Sequence, residues 1–455
     1  MRQLLSGFMV DQDYVERLAN INEFGNIESN RTGIDTVSLF GESARFNLRG
    51  GRVPVVGLKQ VPLKTLTHEL IWFLSGETSI KYLKENNVHI WDSWVDPSTR
   101  VFSINEDISK FTLDEWFSTQ YPDRVMVQGE TPHDIVANNY PAFEPLCPLI
   151  DGDLPNVYQS QWFKWEDTIT VIAEEYYEKS EYYSGLGYVH QGTYNCTDTD
   201  IIKVVLRRYI NQYKTLIETL KSNPSCRRMI IEGWNVGKID QMALPPCHKS
   251  LQFYTSSFTT EERIKLGLDE GIITEEDSNV VFTLPVELQP QKLTELGVPE
   301  YGLSSLLYMR SSDQGVGYNF NIAQYAMITH IIGRMTNTYP LDFIWVGADV
   351  HVYANQWDHK ADDDTQGGVT ELILRYNEIS SEDNEGPVYT PIVDKKEEAV
   401  LNKHTLERTI EYPFIVLSDN IKGLGSTDLD KIRFEDIGFT EYKHMGRCHF
   451  PKAAV

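Results

Sequence analysis

The sequence predicts a mixed α/β protein, because helix-type and strand-type segments alternate along the chain. Residues 61–76 have a proline near their start and a glycine at their end, which is typical of a helix. Residues 201–221 place Ile, Val, Leu and Tyr at three- and four-residue spacing, which predicts a second, amphipathic helix. The apolar runs 228–234, 250–254 and 341–347 are typical of strands.

A third helix is predicted over residues 320–336. Ile322, Ala323, Ala326 and Ile331 cover nearly every face of this segment, together with Ile328 and Ile332. A helix that is apolar all round is buried. We therefore expect this helix in the interior of the protein.

Four acidic stretches interrupt these segments, and no repeat of fixed period is present. They are residues 100–152, 166–200, 255–303 and 357–400. Linkers between domains would lack the Tyr, Ile and Leu content of these stretches. The sequence therefore predicts a single domain over residues 1–455, with these stretches as peripheral insertions.

Composition limits the class of function. The chain has 455 residues, 41% of them hydrophobic, which is enough for a substantial core. Its formal net charge of -25 argues against a surface that binds nucleic acid or membranes. No apolar stretch reaches the roughly 18 residues of a membrane span. An anionic ligand would require arginines concentrated at one site.

The five cysteines fit neither a disulfide framework nor a zinc site, because their number is odd and their spacings are unsuitable. The N-terminal residues 1–8 lack the long apolar run of a secretion signal. We expect a reduced, cytoplasmic protein without a metal (host cytoplasm if the source is viral).

Cys247 is the first candidate for chemistry. Two prolines precede it, stiffening the chain and removing two backbone donors, and His248 follows. A rigid cysteine beside a histidine is typical of an activated thiol. The alternative is a buried structural cysteine.

Two arginine sites flank strand-like sequence. Arg227 adjoins Arg228, and Arg310 adjoins Ser311. Guanidinium groups with a neighbouring hydroxyl suit a phosphate. The alternative is a solvated surface that forms salt bridges.

Further polar candidates lie in apolar segments. An ionised Glu69 is costly in its apolar run unless it is hydrogen-bonded or functional, although helical geometry also allows it a place on the solvent face. Asn321, His351 and Tyr353 are also set in apolar sequence, where polar residues satisfied within the core are the usual explanation.

Residues 228–254, which contain the Leu-Pro-Pro-Cys-His run, closely resemble the active-site motif of thymidylate synthases. The motif is long and specific, and further blocks agree with the family in the expected order. These blocks are residues 30–33, 68–76, 85–92, 157–162, 310–313, 320–323, 349–353 and the terminal 454–455. The rest of the chain falls in the four acidic stretches.

The resemblance implies a large mixed β-sheet flanked by helices, an obligate homodimer, dUMP as substrate and 5,10-methylenetetrahydrofolate as cosubstrate. Addition of the Cys247 thiolate to C6 of uracil would make the weakly nucleophilic C5 able to attack a one-carbon carrier. Glu69, Tyr158 and His248 would order the waters that move protons.

The resemblance also implies the binding residues. Those expected to contact dUMP are Arg31, Gln252, Arg310, Ser311 and Asp313, with Asn321 on the base, His351 and Tyr353 on the sugar, and Arg227 and Arg228 arriving from the partner subunit; Arg228 is also expected to serve catalysis. Those expected to position or enclose the folate are Trp91, Trp94, Asp313, Gly317, Phe320 and Val455. The amide of Asn321 can accept from N3–H and donate to O4, which favours uracil over cytosine.

The chain departs from the family pattern at several positions. Gln159, Asn319 and Gln324 stand where the family usually has Gly, Pro and Ser, Tyr318 replaces a smaller aliphatic residue, and residues 154–156 and 447–453 also differ. They bear on the last step, since hydride transfer gives thymidylate whereas attack by water gives 5-hydroxymethyl-dUMP. The additional amide side chains of Gln159, Asn319 and Gln324 are suited to hold such a water molecule by hydrogen bonds.

Three functions follow from these observations. The sequence favours a thymidylate synthase. The alternative is a dUMP 5-hydroxymethylase of the kind found in phages with modified DNA. A catalytically weak binding protein of the same fold, with the acidic stretches as interaction surfaces, is the third hypothesis.

Overall fold

A computed structural model gives the fold of most of the chain. It describes residues 8–30, 32–95, 154, 157–195, 201–242, 244–357, 359–360, 366–383, 412–440 and 442–451. The chain separates into two compact units. The first unit comprises Met1–Ile71, Lys214–Ile231 and Cys247–Val455, and the second unit comprises Trp72–Tyr213 and Glu232–Pro246. The prediction of a single domain stays a prediction.

A six-stranded mixed sheet organises the first unit, which confirms the large mixed sheet that was expected. Its strands, numbered along the chain, are Asn26–Glu28 (β1), Thr36–Asn47 (β2), Ile230–Glu232 (β6), His248–Ser257 (β7), Tyr301–Asp313 (β8) and Tyr339–Tyr353 (β9). The order is β1-β2-β9-β8-β7-β6. Strands β8 and β9 pair in parallel, whereas β7 with β8 and β2 with β9 pair antiparallel.

The central helix of the first unit is Gly317–Thr336 (α11), which packs on β8 and β9. It has 16 of its 20 residues buried, as the apolar residues on every face predicted. Asn337 ends the helix in the left-handed region at φ 52° and donates its backbone N–H to the Gly333 carbonyl. Side chains from α11 and the buried faces of β8 and β9 therefore form one core.

Further helices surround this core. Helix α1 (Phe8–Phe24) packs against β2 and β9 and buries Tyr14 and Leu18. The helix predicted over residues 61–76 is confirmed as Leu63–Ser75 (α2), and Gly76 follows it at φ +72°. The remaining elements of the first unit outside the 255–303 stretch are Gln212–Ser222 (α7), His359–Lys360 (β10), Gln366–Gly367 (β11), Gly368–Asp383 (α12), Ile415–Leu417 (β12), Asp419–Lys422 (α13) and Ile437–Phe439 (β13).

The acidic stretch 255–303 contains three short helices with a small core of their own. The helices are Thr260–Asp269 (α8), Glu275–Thr283 (α9) and Gln289–Glu295 (α10). Buried Ile264, Val281 and Leu293 belong to this core. Thr259 with Glu262, and Thr274 with Asp277, form capping boxes at the starts of α8 and α9. Part of the acidity of this stretch therefore stabilises helix N-termini.

The second unit contains a three-stranded antiparallel sheet of order β3-β5-β4. Its elements are Lys81–Glu85 (α3), Tyr158–Phe163 (α4), Trp165–Ile172 (β3), Ala173–Glu178 (α5), Ser180–Gly185 (α6), Val189–Asn195 (β4) and Ile202–Ile210 (β5). The prediction of one helix over residues 201–221 is wrong in its first half. Val204 and Leu206 alternate with less buried neighbours along β5, which pairs on both sides, and a helix begins only at Gln212.

Candidate active site

Cys247 lies at the entrance to β7, where its backbone is attached to the neighbouring strand. Pro245 and Pro246 bring the chain to it, and its carbonyl oxygen accepts a hydrogen bond of 3.0 Å from the Arg310 backbone N–H. The pairing of β7 with β8 is irregular between His248 and Ser250. The thiol is partly exposed, which a nucleophile requires. Cys247 and Arg310 therefore meet at one end of the β7–β8 pair.

His248 points into the core, where it meets α11. Its Nε2 lies 3.1 Å from Oδ1 of Asn321, and the Asn321 Nδ2 donates to the sulfur of Met309. Burial lowers the pKa of His248 to about 4, and the hydrogen bond from the ring to Asn321 only partly opposes this effect. Since the amide oxygen accepts, the neutral ring carries its proton on Nε2.

The carboxyl ends of the parallel strands β8 and β9 bring further candidates together. Ser311 lies opposite Asp349, and Asp313 lies opposite His351. The Asp349 carboxylate accepts from Ser311 Oγ at 3.0 Å and lies 3.2 Å from Nδ1 of His351. Burial opposes the ionisation of Asp349, but the neighbouring His351 ring and the hydroxyls of Ser311 and Ser38 outweigh it and hold the pKa of Asp349 below its usual value.

Asp349 belongs to a block that matches the family pattern, but no role was predicted for it. Its spacing of two residues from His351 was the available signal, because residues i and i+2 of a strand face the same side. The His351 and Tyr353 rings are in edge-to-face contact with centroids 5.1 Å apart. The end of β9 therefore presents a set of polar groups that Asp349 orients.

The loop between β8 and α11 is organised by Asp313. Its Oδ1 accepts from the backbone N–H groups of Gly315 at 2.9 Å and Val316 at 3.3 Å, and its Oδ2 accepts from Gln356 Nε2 at 3.2 Å. Gly317 begins α11 directly after this turn, and Phe320 is partly exposed on its first turn. The contact with Gln356 was not predicted.

Glu69 is buried on α2, with 7% of its surface exposed, so the alternative that placed it on the solvent face is wrong. Its Oε2 accepts a hydrogen bond of 2.7 Å from Nε2 of Gln324. Gln324 is one of the departures from the family pattern. The structure thus joins a predicted catalytic carboxylate to a residue that the sequence associated with the last step.

Comparison with known proteins identifies the family. The family model described as thymidylate synthase matches residues 12–454, nearly the whole chain. The chain belongs to the thymidylate synthase family. Similar relatives are the thymidylate synthases of three Coxiella burnetii strains, Dugway 5J108-111, RSA 331 / Henzerling II and RSA 493 / Nine Mile phase I. Each is 29% identical over 347 residues, covering 76% of this chain and 81% of the relative.

Thymidylate synthase family membership implies a one-carbon transferase that acts on dUMP with methylenetetrahydrofolate as cosubstrate. None of the helices that the structure describes is long and apolar enough to cross a membrane. Over the same residues, no group of three or more His, Cys, Asp or Glu side chains is arranged to hold a metal ion.

Other positions expected from the thymidylate synthase motif lie apart from these contacts. Arg227 and Arg228 are exposed, and within the described residues neither guanidinium forms a hydrogen bond or ion pair. Gln252 is also exposed and donates to the Arg227 carbonyl at 3.4 Å. Arg31 and Val455 lie outside the described residues.

The aromatic residues expected from the family pattern, Trp91, Trp94 and Tyr158, lie in the second unit. Trp91 and Tyr158 are buried in one cluster with Phe73, with ring centroids about 6 Å apart, and Trp94 adjoins Trp91. Gln159 is fully buried next to Tyr158 and donates to the Glu77 carbonyl at 2.8 Å. The four aromatic residues therefore form one cluster within the second unit.

Proposed function

We propose that this chain converts dUMP to thymidylate by one-carbon transfer to C5, with Cys247 as the nucleophile that adds to C6. The observation that carries this proposal is the hydrogen bond between the Cys247 carbonyl and the Arg310 N–H, 3.0 Å long. It brings a partly exposed thiol next to the Arg310–Ser311 pair at the carboxyl end of β8. A thiol and a phosphate-binding pair at one site match the two ends of a pyrimidine nucleotide.

Substrate binding follows from the same strand ends. Arg310 and Ser311, with Arg31, bind the 5′-phosphate, and His351 and Tyr353 bind the sugar hydroxyl. Asp349 orients Ser311 and His351 through contacts of 3.0 and 3.2 Å. Asn321 and Gln252 complete the dUMP contacts, with Asn321 on the base. Its oxygen faces the proton on Nε2 of His248, so the orientation of the amide is fixed before uracil binds.

Proton transfer requires groups of defined protonation state. When the Cys247 thiolate forms its bond to C6, the electron pair of the C5–C6 double bond moves towards O4, which takes up a proton. Glu69 supplies and recovers that proton, and Tyr158 is assigned a part in proton transfer by its place in the family pattern. His248 is neutral, because burial lowers its pKa to about 4, so it acts as a hydrogen-bond donor rather than as a cation.

The residues proposed to contact folate are those of the family pattern. Trp94 is partly exposed and offers aromatic surface that suits a flat pterin ring, and the buried Trp91 packs against it. Asp313 ends β8, and Gly317 and Phe320 lie on the first turn of α11. A Cβ added to Gly317 would come no closer than 3.9 Å to its nearest neighbour, Asn321, which leaves space there. Val455 is assigned by its place in the family pattern alone. The bound folate supplies the one-carbon unit.

A homodimer is part of the proposal. Tyr254 and Leu306 lie on the outer face of the sheet and are 58% and 38% exposed. Gln252 lies opposite Leu306 on this face and contacts the Arg227 backbone. A second copy that covers this apolar face would bury it, and Arg227 and Arg228 would then serve the partner's phosphate site.

A second candidate product, 5-hydroxymethyl-dUMP, is supported by one observation. Gln159, Asn319 and Gln324 are each at most 1% exposed, and within the described residues the oxygen of each amide has no donor. A buried amide oxygen is suited to accept a hydrogen bond from water. Water beside the carbon on C5 would replace hydride in the last step.

The product distinguishes the two candidates. The protein is incubated with dUMP and methylenetetrahydrofolate, and the nucleotide is analysed by mass spectrometry while dihydrofolate is followed by absorbance. The proposal predicts thymidylate and dihydrofolate in equal amounts. A nucleotide heavier by one oxygen, formed without dihydrofolate, would establish the hydroxymethylase instead, and recovery of unchanged dUMP would contradict both.

A further inference from the structure

The contact between Gln324 and Glu69 joins two helices of the first unit. Gln324 lies on α11 with 1% of its surface exposed, and Glu69 lies on α2. Nε2 of Gln324 is 2.7 Å from Oε2 of Glu69 and 3.2 Å from the Leu66 carbonyl oxygen. Both partners of the amide nitrogen therefore come from one turn of α2.

The donors of Gln324 fix its orientation. A primary amide nitrogen has two N–H groups, and here one faces a carboxylate oxygen and the other faces a backbone carbonyl. A flipped amide would place its oxygen against these same two acceptors, which is repulsive. Oε2 of Glu69 is therefore held as a hydrogen-bond acceptor.

The helix that carries Gln324 also contacts His248. Asn321, three residues earlier on α11, contacts His248 at 3.1 Å. Residues three apart on a helix are neighbours on its surface, so Asn321 and Gln324 project from adjacent positions. One buried helix thus contacts two of the groups to which the proposed function gives proton chemistry, Glu69 and His248.

We propose that Gln324 is a positioning residue for the proton chemistry of Glu69, an inference that rests on the proposed function. By donating to Oε2, Gln324 fixes the orientation of the carboxyl group that delivers the proton to O4 of dUMP and takes it back. The length of the side chain is essential, because asparagine is one methylene shorter and a serine hydroxyl is shorter still.

The test measures tritium release from [5-³H]dUMP in the presence of methylenetetrahydrofolate, between about pH 5.5 and 8.5. Gln324→Leu keeps the size of the side chain and removes both donors. We expect kcat for release to fall about 10- to 100-fold, with KM for dUMP changed less than about threefold. In a Glu69→Gln background, the same substitution should change kcat less than about threefold, since the group it positions is gone.

Gln324→Glu gives a diagnostic that a purely structural role would not give. Two carboxyl groups about 3 Å apart share one proton, and the carboxyl group introduced at position 324 can donate to Glu69 only while it is protonated. Release by Gln324→Glu should therefore be weak near pH 8 and should recover towards the wild-type rate as the pH falls. This variant also decides the matter if Gln324→Leu does not fold.

Thr329→Val is the matched control. It removes a buried side-chain hydrogen bond, to Ser305, on the same helix, and we expect its pH profile of release to equal that of the wild type. A Gln324→Leu profile like that of Thr329→Val, an equal loss in the Glu69→Gln background, or a Gln324→Glu rate that does not rise with acidity would overturn the inference. If the wild-type protein releases no tritium, the proposed function fails, and the inference fails with it.

Discussion

Two histidines of the first unit are buried deeply enough to be neutral at physiological pH. His248 contacts Asn321, and His330 on α11 donates to the Arg52 carbonyl at 2.9 Å. Burial lowers the pKa of each to about 4. In the unfolded chain each would titrate near 6.5, so the unfolded state binds more protons between these values. The free energy of unfolding therefore has its full value, as far as these two histidines are concerned, above about pH 6.5, and it decreases as the pH falls.

His330→Gln tests this linkage without altering the proposed site. Glutamine retains a donor for the Arg52 carbonyl and does not titrate. The wild-type free energy of unfolding should fall by about 2 kcal/mol per buried histidine between about pH 7 and about pH 5, and the variant should lose about 2 kcal/mol less. Urea unfolding at both pH values measures the difference. An equally steep loss in the variant would contradict the assignment of a low pKa to His330.

Candidate site residues could be chosen from the sequence where chemistry restricts the residue type. Cys247 after two prolines, Asn321 and the Arg310–Ser311 pair were all assigned from sequence, and the structure brings them together at the ends of β7 and β8 and the start of α11. The contact of Glu69 with Gln324 was not predictable, because 255 positions separate the two residues and only the packing of α2 on α11 brings them together.

At the scale of elements, helix α11 was predicted because it is apolar on every side, and its close packing makes Gly333 necessary. A Cβ at Gly333 would lie 2.8 Å from the Thr338 carbonyl oxygen and 3.1 Å from Pro340. The secondary structure of residues 201–221 was harder to predict, since Ile, Val and Leu at mixed spacing suit either a helix or a strand. Residues 202–210 form a strand because they pair with β3 and β4, and such pairing cannot be read from a local sequence pattern.

Gly333→Ala should lower the free energy of unfolding by about 1–3 kcal/mol, because the neighbouring atom is backbone and cannot move away cheaply. Gly185→Ala is the control, since a Cβ there meets nothing within 4 Å and its φ is not positive. That control should change stability by less than about 1 kcal/mol. Chemical denaturation compares them, and equal stabilities of the two variants would contradict the packing described for α11.

At the scale of the whole molecule, the mixed sheet was predicted by the resemblance of the motifs and not by composition. Composition and periodicity alone reach only a mixed α/β protein. The acidic stretches carried no signal of their internal structure, although three of them contain regular elements. These are strands β3 and β4 in 166–200, the capped helices α8 and α9 in 255–303, and helix α12 in 357–400. Short elements with few buried residues leave a weak pattern in the sequence.

The proposed homodimer predicts complementation between inactive subunits. Arg228→Ala removes a phosphate ligand supplied to the partner, and Cys247→Ala removes the nucleophile. A mixed dimer would contain one complete site, so refolding the two variants together in equal amounts should restore about a quarter of the wild-type activity. Each variant refolded alone is the control. Failure of the mixture to exceed the controls would contradict a site shared between subunits.

The central claim is that Cys247 forms a covalent bond to C6 of dUMP. 5-Fluoro-dUMP tests it directly. Fluorine replaces the C5 hydrogen that is normally removed as a proton, so the reaction stops at the covalent adduct, which accumulates. Intact-protein and peptide mass spectrometry, with methylenetetrahydrofolate present, should show one nucleotide–folate adduct per chain on Cys247 and none in Cys247→Ala. An adduct on another residue, or turnover of dUMP by Cys247→Ala at the wild-type rate, would contradict the account.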